Sequence, residues 1–150
     1  MTLRKTLFFT SSVSILITFL SAMLVFFWLV YPYNPIEFKT KILPVASKVV
    51  KQGEQLTYVS DYCKYTDLPA SITRTFNNEI IFTTPTITTN RPKGCDKINV
   101  NVQVPQELPA GHFRLVTIYQ YQVNPIRIIT ITQQTEDFEI IEATPSANRN

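Results

Sequence analysis

The feature that most constrains this chain is an uncharged run of 25 residues, 7–31, near the start of a sequence of 150. Coiled as an α-helix at 1.5 Å per residue it is roughly 37 Å long, enough to cross a hydrocarbon core of about 30 Å. Arg4 and Lys5 precede it, so a cleaved secretory signal is the competing reading. Two features favour a retained signal-anchor: the run exceeds the apolar core of a signal, about 7–15 residues, and Leu20 stands two positions before Ala22, where an A-x-A-like cleavage site needs a small residue.

The far end of the run carries Trp28, Tyr31 and Tyr33, side chains that prefer the membrane–water interface. Pro32 and Pro35 then stop the helix, because proline cannot donate the backbone hydrogen bond that a further turn needs. Lysines flank both sides (Lys5 on one, Lys39, Lys41 and Lys48 on the other), so the positive-inside rule does not fix orientation by count. A short basic tail free of acids favours the N-terminus in the cytoplasm. The expected organisation is a cytoplasmic tip, 1–6; a transmembrane signal-anchor, 7–31; a linker, 32–37; one domain, 38–143, outside the cytoplasm, periplasmic or extracellular; and a flexible tail, 144–150.

Cys63 and Cys95 are the only cysteines. An even pair in an extracytoplasmic domain is expected to form a disulfide, with α-carbons roughly 4.4–6.8 Å apart; the alternative is two buried free thiols. Closing a loop of about 33 residues stabilises a small domain by about 3.5–4 kcal/mol in the chain-entropy account. No N-x-S/T sequence occurs, which is consistent with a bacterial or bacteriophage source.

From residue 36 onward twelve Lys and Arg face eleven Asp and Glu, and no basic stripe forms. Nucleic-acid binding therefore lacks its electrostatic footprint. Glu136, Asp137, Glu139 and Glu142 gather near the end of the domain and read as a solvated strand end.

Residues 38–141 alternate at period two between Pro, Gly and Asn punctuation, with no amphipathic helix. Ile98, Val100, Val102 and Val104 share one face, Phe113, Leu115, Thr117, Tyr119 and Tyr121 another; Leu56, Tyr58 and Tyr62 align after a turn at Gly53. Asn77-Asn78 reads as a hairpin tip. About seven strands are expected, making an all-β antiparallel sandwich. The segment Leu108-Pro109-Ala110-Gly111-His112-Phe113 resembles the corner before the sixth strand of immunoglobulin-like and fibronectin-like domains. The resemblance implies that fold for roughly 38–141, with two departures: Phe113 lacks the hydroxyl that the usual Tyr supplies, and Cys95 lies before the fifth strand, so a disulfide would not be the usual inter-sheet bridge.

Catalytic and cofactor chemistry finds little purchase. His112 is the one histidine and sits in that corner; Asp61 and Asp67 lack a supporting constellation; two Cys and one His do not fill a zinc site; and three scattered glycines do not cradle a phosphate. The expectation is no enzyme, no cofactor, no metal and no nucleic acid.

Two contact surfaces are expected. In the helix Thr10, Ser14, Thr18 and Ala22 recur every four residues, a small-residue stripe through which two copies could self-associate; the bland reading is that Ser and Thr simply occur in membrane helices. In the domain, a tight Asn124-Pro125 turn would oppose Val123 to Ile126 and so place Val116, Ile118, Ile129 and Ile131 on one outer face, ringed by Arg114, Gln120, Gln122 and Arg127. That apolar-centre, polar-rim layout suits a protein interface; a covered core face is the alternative, and proline makes the turn awkward unless its bond is cis or the loop longer. The functional expectation is a membrane-anchored adaptor that engages a protein partner outside the cytoplasm. Its alternatives are a structural component of an envelope, secretion or virion assembly, and a phage-encoded modifier of the host envelope.

Overall fold

A computed structural model describes residues 2–78 and 81–143, with side chains described from residue 11 onward. The chain divides into two compact units, Met1–Tyr33 with Val123–Ile128, and Asn34–Gln122 with Ile129–Asn150.

In the first unit a single helix, α1 (Thr2–Val30), begins before the expected boundary at residue 7. Its segment Ser11–Val30 has a mean hydropathy of 2.5 and no buried residue, so it is long and apolar enough to cross a membrane. The last helical bond runs from the Tyr31 amide to the Phe27 carbonyl, and Pro32 then ends the ladder. Phe27 and Tyr31, one turn apart, stack with ring centroids 4.8 Å apart.

The second unit is built of strands: β1 (Ile36–Phe38), β2 (Ile42–Leu43), β3 (Val49–Lys51), β4 (Gln55–Lys64), β5 (Ala70–Asn77), β6 (Ile81–Thr83), β7 (Ile87–Thr89), β8 (Gly94–Gln103), β9 (Gly111–Asn124), β10 (Arg127–Thr135) and β11 (Phe138–Ile141). One sheet has the order β1-β4-β8. The other has the order β2-β10-β9-β11-β3, with β5 also paired to β9 and carrying β6 and β7 on its far edge.

Among the described residues eleven strands replace the expected seven, because the chain breaks runs that the sequence shows as continuous. The expected first strand, 38–45, is two: β1 pairs antiparallel with β4, whereas β2 pairs parallel with β10, so 39–41 carries the chain from one sheet to the other. The expected linker, 32–37, already contains Ile36, which is buried and paired with Lys64. A wholly antiparallel arrangement is corrected as well, since β3 also runs parallel to β11. Both parallel partners are two- or three-residue ladders entering beside the C-terminal strands.

Alternation places the core. Leu56 and Tyr58 of β4, Val102 of β8, Phe76 of β5, Phe113 and Leu115 of β9, and Phe138 and Ile140 of β11 pack in one buried cluster drawn from both sheets. Leu108, from the corner segment, joins them, its carbonyl accepting 2.6 Å from the Gln52 side-chain amide. Gly53 turns β3 into β4 at φ +78°, a left-handed conformation open to glycine at little cost. The Asn77-Asn78 hairpin joins β5 to β6, with Phe76 opposite Phe82; the expected flexible tail, 144–150, lies outside the described residues.

Cys63 and Cys95 form a disulfide. Cys95 lies inside β8, directly opposite Cys63 of β4, rather than ahead of a strand. The bridge therefore joins neighbouring strands of one sheet. Its α-carbons are 3.9 Å apart, closer than the expected range and closer than the about 4.5 Å of an ordinary facing pair in an antiparallel ladder.

Candidate functional site

The core cluster fills one part of the space between the sheets; beside it the sheets part around a cavity of about 120 Å³. The three-stranded sheet contributes Ile36, Tyr62, Lys64, Ile98 and Val100, and the other sheet Ile72, Arg74, Ile87, Tyr119 and Tyr121. The same alternation that drives Leu56 and Tyr58 inward also drives Ser60, Tyr62 and Lys64 inward further along β4. Period two thus carries an amine into a hydrophobic interior.

Lys64 is only 4% exposed, and its Nζ donates to the Arg91 carbonyl at 2.5 Å. Burial pushes its pKa below the ordinary lysine value, and the nearby Asp67 carboxylate opposes that shift. Asp67 itself pairs with Lys93 at 2.6 Å. Arg74 brings a second cation, and among the described residues its Nε and the Tyr58 hydroxyl are buried without a protein hydrogen-bond partner. Burial drives the Tyr119 phenol well above the ordinary tyrosine range, aided by Tyr58 and opposed by Arg74. Tyr121 is pushed up to about 12, by burial first and Tyr62 second. With the exposed Arg91, the described lining of the cavity has three basic residues and no Asp or Glu. Lys64 and Arg74 were not singled out by sequence reasoning; the signal was Lys64 falling in register with Leu56, Tyr58 and Tyr62.

A second constellation lies within the helical unit, where the β9–β10 turn meets the end of α1. The Asn124 side-chain amide donates to the Trp28 carbonyl at 3.0 Å, and the Arg127 guanidinium to the Tyr31 carbonyl at 2.5 Å. Helix ends leave their last carbonyls without intrahelical donors, and α1 has no basic residue of its own in its last turn. Trp28, Tyr31 and Tyr33, expected at a membrane interface, line a small hollow here with Phe27, Val123, Asn124 and Arg127.

The expected partner surface spans β9 and β10 on either side of the Asn124–Pro125 turn. The Asn124–Pro125 bond is trans, Asn124 Oδ1 accepts from the Ile126 amide, and β10 resumes only at Arg127. Along β10 the more covered set is Arg127, Ile129, Ile131, Gln133 and Thr135, whereas Ile128 is 60% exposed and Thr130 and Thr132 are exposed. On β9 the outer positions are Arg114, Val116, Ile118, Gln120 and Gln122, with Val116 and Ile118 half-buried. Ile129 and Ile131 are half-buried, as Val116 and Ile118 are, and β5 places Ser71, Thr73 and Thr75 beside Gln120, Ile118 and Val116. Arg114 makes a two-point contact with Asp137 at 2.9 and 3.1 Å.

On the helix, Ser14, Thr18 and Ala22 are exposed, and Thr10 lies outside the described side chains. Thr18 Oγ1 donates back to the Ser14 carbonyl at 2.9 Å, so its proton is engaged within the helix. His112 is an exposed residue of β9 opposite Glu139. Asp61 pairs with Lys39 at 2.9 Å and Asp67 with Lys93, so the two carboxylates belong to separate ion pairs.

No family model matches the chain, and no curated protein matches it either. Among solved structures it is similar to the alkylpurine DNA glycosylase AlkC of Pseudomonas fluorescens bound to DNA containing an abasic site analogue, at 11% identity and a TM-score of 0.40, over 71% of this chain and 30% of that one. It is also similar to a protein of unknown function from Porphyromonas gingivalis, at 9% identity and a TM-score of 0.41, over 77% of this chain and 51% of that one. The chain thus spans from under a third to about half of the lengths of these two proteins.

Proposed function

We propose that the chain is a single-pass membrane protein whose helix is retained as a signal-anchor and whose β-domain works outside the cytoplasm as a binding module for a protein partner. The observation that carries this reading is the unburied apolar segment Ser11–Val30. Removing an apolar helix of that length from water is strongly favourable, and a bilayer satisfies it without a partner protein. The Cys63–Cys95 bridge supports an oxidising compartment for the domain. Within this reading the domain is an immunoglobulin-like sandwich in the broad sense of two sheets over one core, with Phe113 buried where the corner motif opens β9.

The partner surface in this proposal is the outer face of β9, Arg114, Val116, Ile118, Gln120 and Gln122, widened by Ser71, Thr73 and Thr75 of β5. It is more hydroxyl-rich than the aliphatic patch expected from sequence, which suits a wet, reversible contact. The experiment is extraction of cell membranes with alkaline carbonate, followed by intact-mass measurement. Full-length protein in the pellet supports the anchor; a soluble species lacking the first 20–30 residues or so contradicts it.

A further inference from the structure

The helix and the outer strand face leave the cavity between the sheets unexplained. Lys64 and Arg74 place two cations in a low-dielectric interior, Arg91 adds a third at the rim, and none of the described lining residues is acidic. Isolated buried charge is costly unless paired, so folded proteins usually supply a carboxylate beside such groups. Here the nearest acid influencing Lys64 is Asp67, which is already paired with Lys93 and does not line the cavity. Arg74 Nε, a donor that strongly prefers an oxygen acceptor, is buried without a protein partner.

The rest of the lining is apolar and aromatic: Ile36, Phe38, Ile72, Ile87, Ile98 and Val100. Its volume of about 120 Å³ is close to that of engineered cavities, about 150 Å³, which admit a benzene-sized molecule. The tyrosines Tyr62, Tyr119 and Tyr121 add hydroxyls that can donate hydrogen bonds.

We infer that this cavity is a binding site for a small organic anion, a benzene-sized apolar body bearing one carboxylate or phosphate head group held by Arg74 and Lys64. The apolar body lies against the isoleucines and Val100, and the head group supplies the acceptor that Arg74 Nε lacks and a counter-charge for Lys64, whose Nζ already donates to the Arg91 carbonyl. The site belongs to the β-domain alone, so it stands whether or not the helix is kept and whether or not a protein binds the outer face of β9.

The test is a titration of the full chain in lipid nanodiscs, followed by the backbone and tyrosine-ring resonances. The probes are benzoate, phenyl phosphate and the neutral benzyl alcohol, with empty nanodiscs correcting for partition into lipid. Saturable shifts centred on Tyr62, Tyr119 and Tyr121 with benzoate or phenyl phosphate are expected, at least about tenfold tighter than with benzyl alcohol; whichever anion binds more tightly identifies the head group. Arg74→Gln should weaken binding at least tenfold while the remaining resonances stay dispersed. Should that variant lose its fold, Arg91→Gln, which alters an exposed side chain, should weaken binding severalfold. No saturable shift, equal affinity for benzyl alcohol, or wild-type affinity in a folded Arg74→Gln protein overturns the assignment.

Discussion

The Arg127 guanidinium donates to the carbonyl of Tyr31 across 96 residues of sequence, capping a helix whose own last turn has no cation. With Asn124 on the Trp28 carbonyl it satisfies two of the acceptors that a helix end leaves open. Changing Asn124 to Ala should cost about 1 kcal/mol of local stability, the net worth of one such bond, and changing Arg127 to Ala about the same or more. Amide exchange in the last turn of α1 is the measurement: it should quicken in both variants, and unchanged rates would show that the caps hold nothing.

The disulfide closes a loop between residues 32 positions apart, and its loss should destabilise the β-domain by about 3.5–4 kcal/mol in the chain-entropy account. Denaturant unfolding of the Cys63→Ser, Cys95→Ser double variant checks this. A difference under about 1 kcal/mol would mean that the cross-link removes little freedom from the unfolded chain, as when residual structure already keeps the β4 and β8 segments together.

Alkaline pH should unfold the domain through its buried tyrosines. Tyr121 ionises near pH 12 when folded, against about 10 in an unfolded chain, and Tyr119 is shifted the same way. A folded-state pKa above the unfolded value gives stability that is complete below about pH 10 and is lost as the pH rises toward 12. Tyrosinate absorbance followed together with circular dichroism should show a late class of tyrosines ionising as the strands melt. A single class ionising near pH 10 with the fold intact is the contrary result.

Burial separates two substitutions that each trim an apolar side chain, one on β10 and one on β11. Ile128 is exposed, so Ile128→Thr should change stability by no more than about 0.5 kcal/mol. Phe138 is buried in the shared cluster, where Phe138→Ala should cost about 3–5 kcal/mol. Thermal unfolding distinguishes them; a large loss at Ile128 would contradict its exposure.

Alternation made much of this fold legible: Leu56, Tyr58 and Tyr62, and Phe113 through Tyr121, point inward as their period-two spacing requires. What escaped was decided outside any single run. The split of residues 38–45 between two sheets depends on which neighbour each half finds, and β3, β7 and β11 are three- or four-residue strands defined by their partners. The cavity was hidden for a related reason. Lys64 sits on an inward position of its strand, but only the opposing sheet, bringing Arg74, Tyr119 and Tyr121, turns that position into a site.

The proposal that the helix holds the β-domain outside the cytoplasm is tested most directly by paired fusions after Asn150 in a bacterial host. One reporter should be active only outside the cytoplasm, such as a periplasmic phosphatase, and the other should fluoresce only within it. The expected result is an active phosphatase that fractionates with the membrane and a dark cytoplasmic reporter. A bright cytoplasmic reporter with an inactive phosphatase would contradict it.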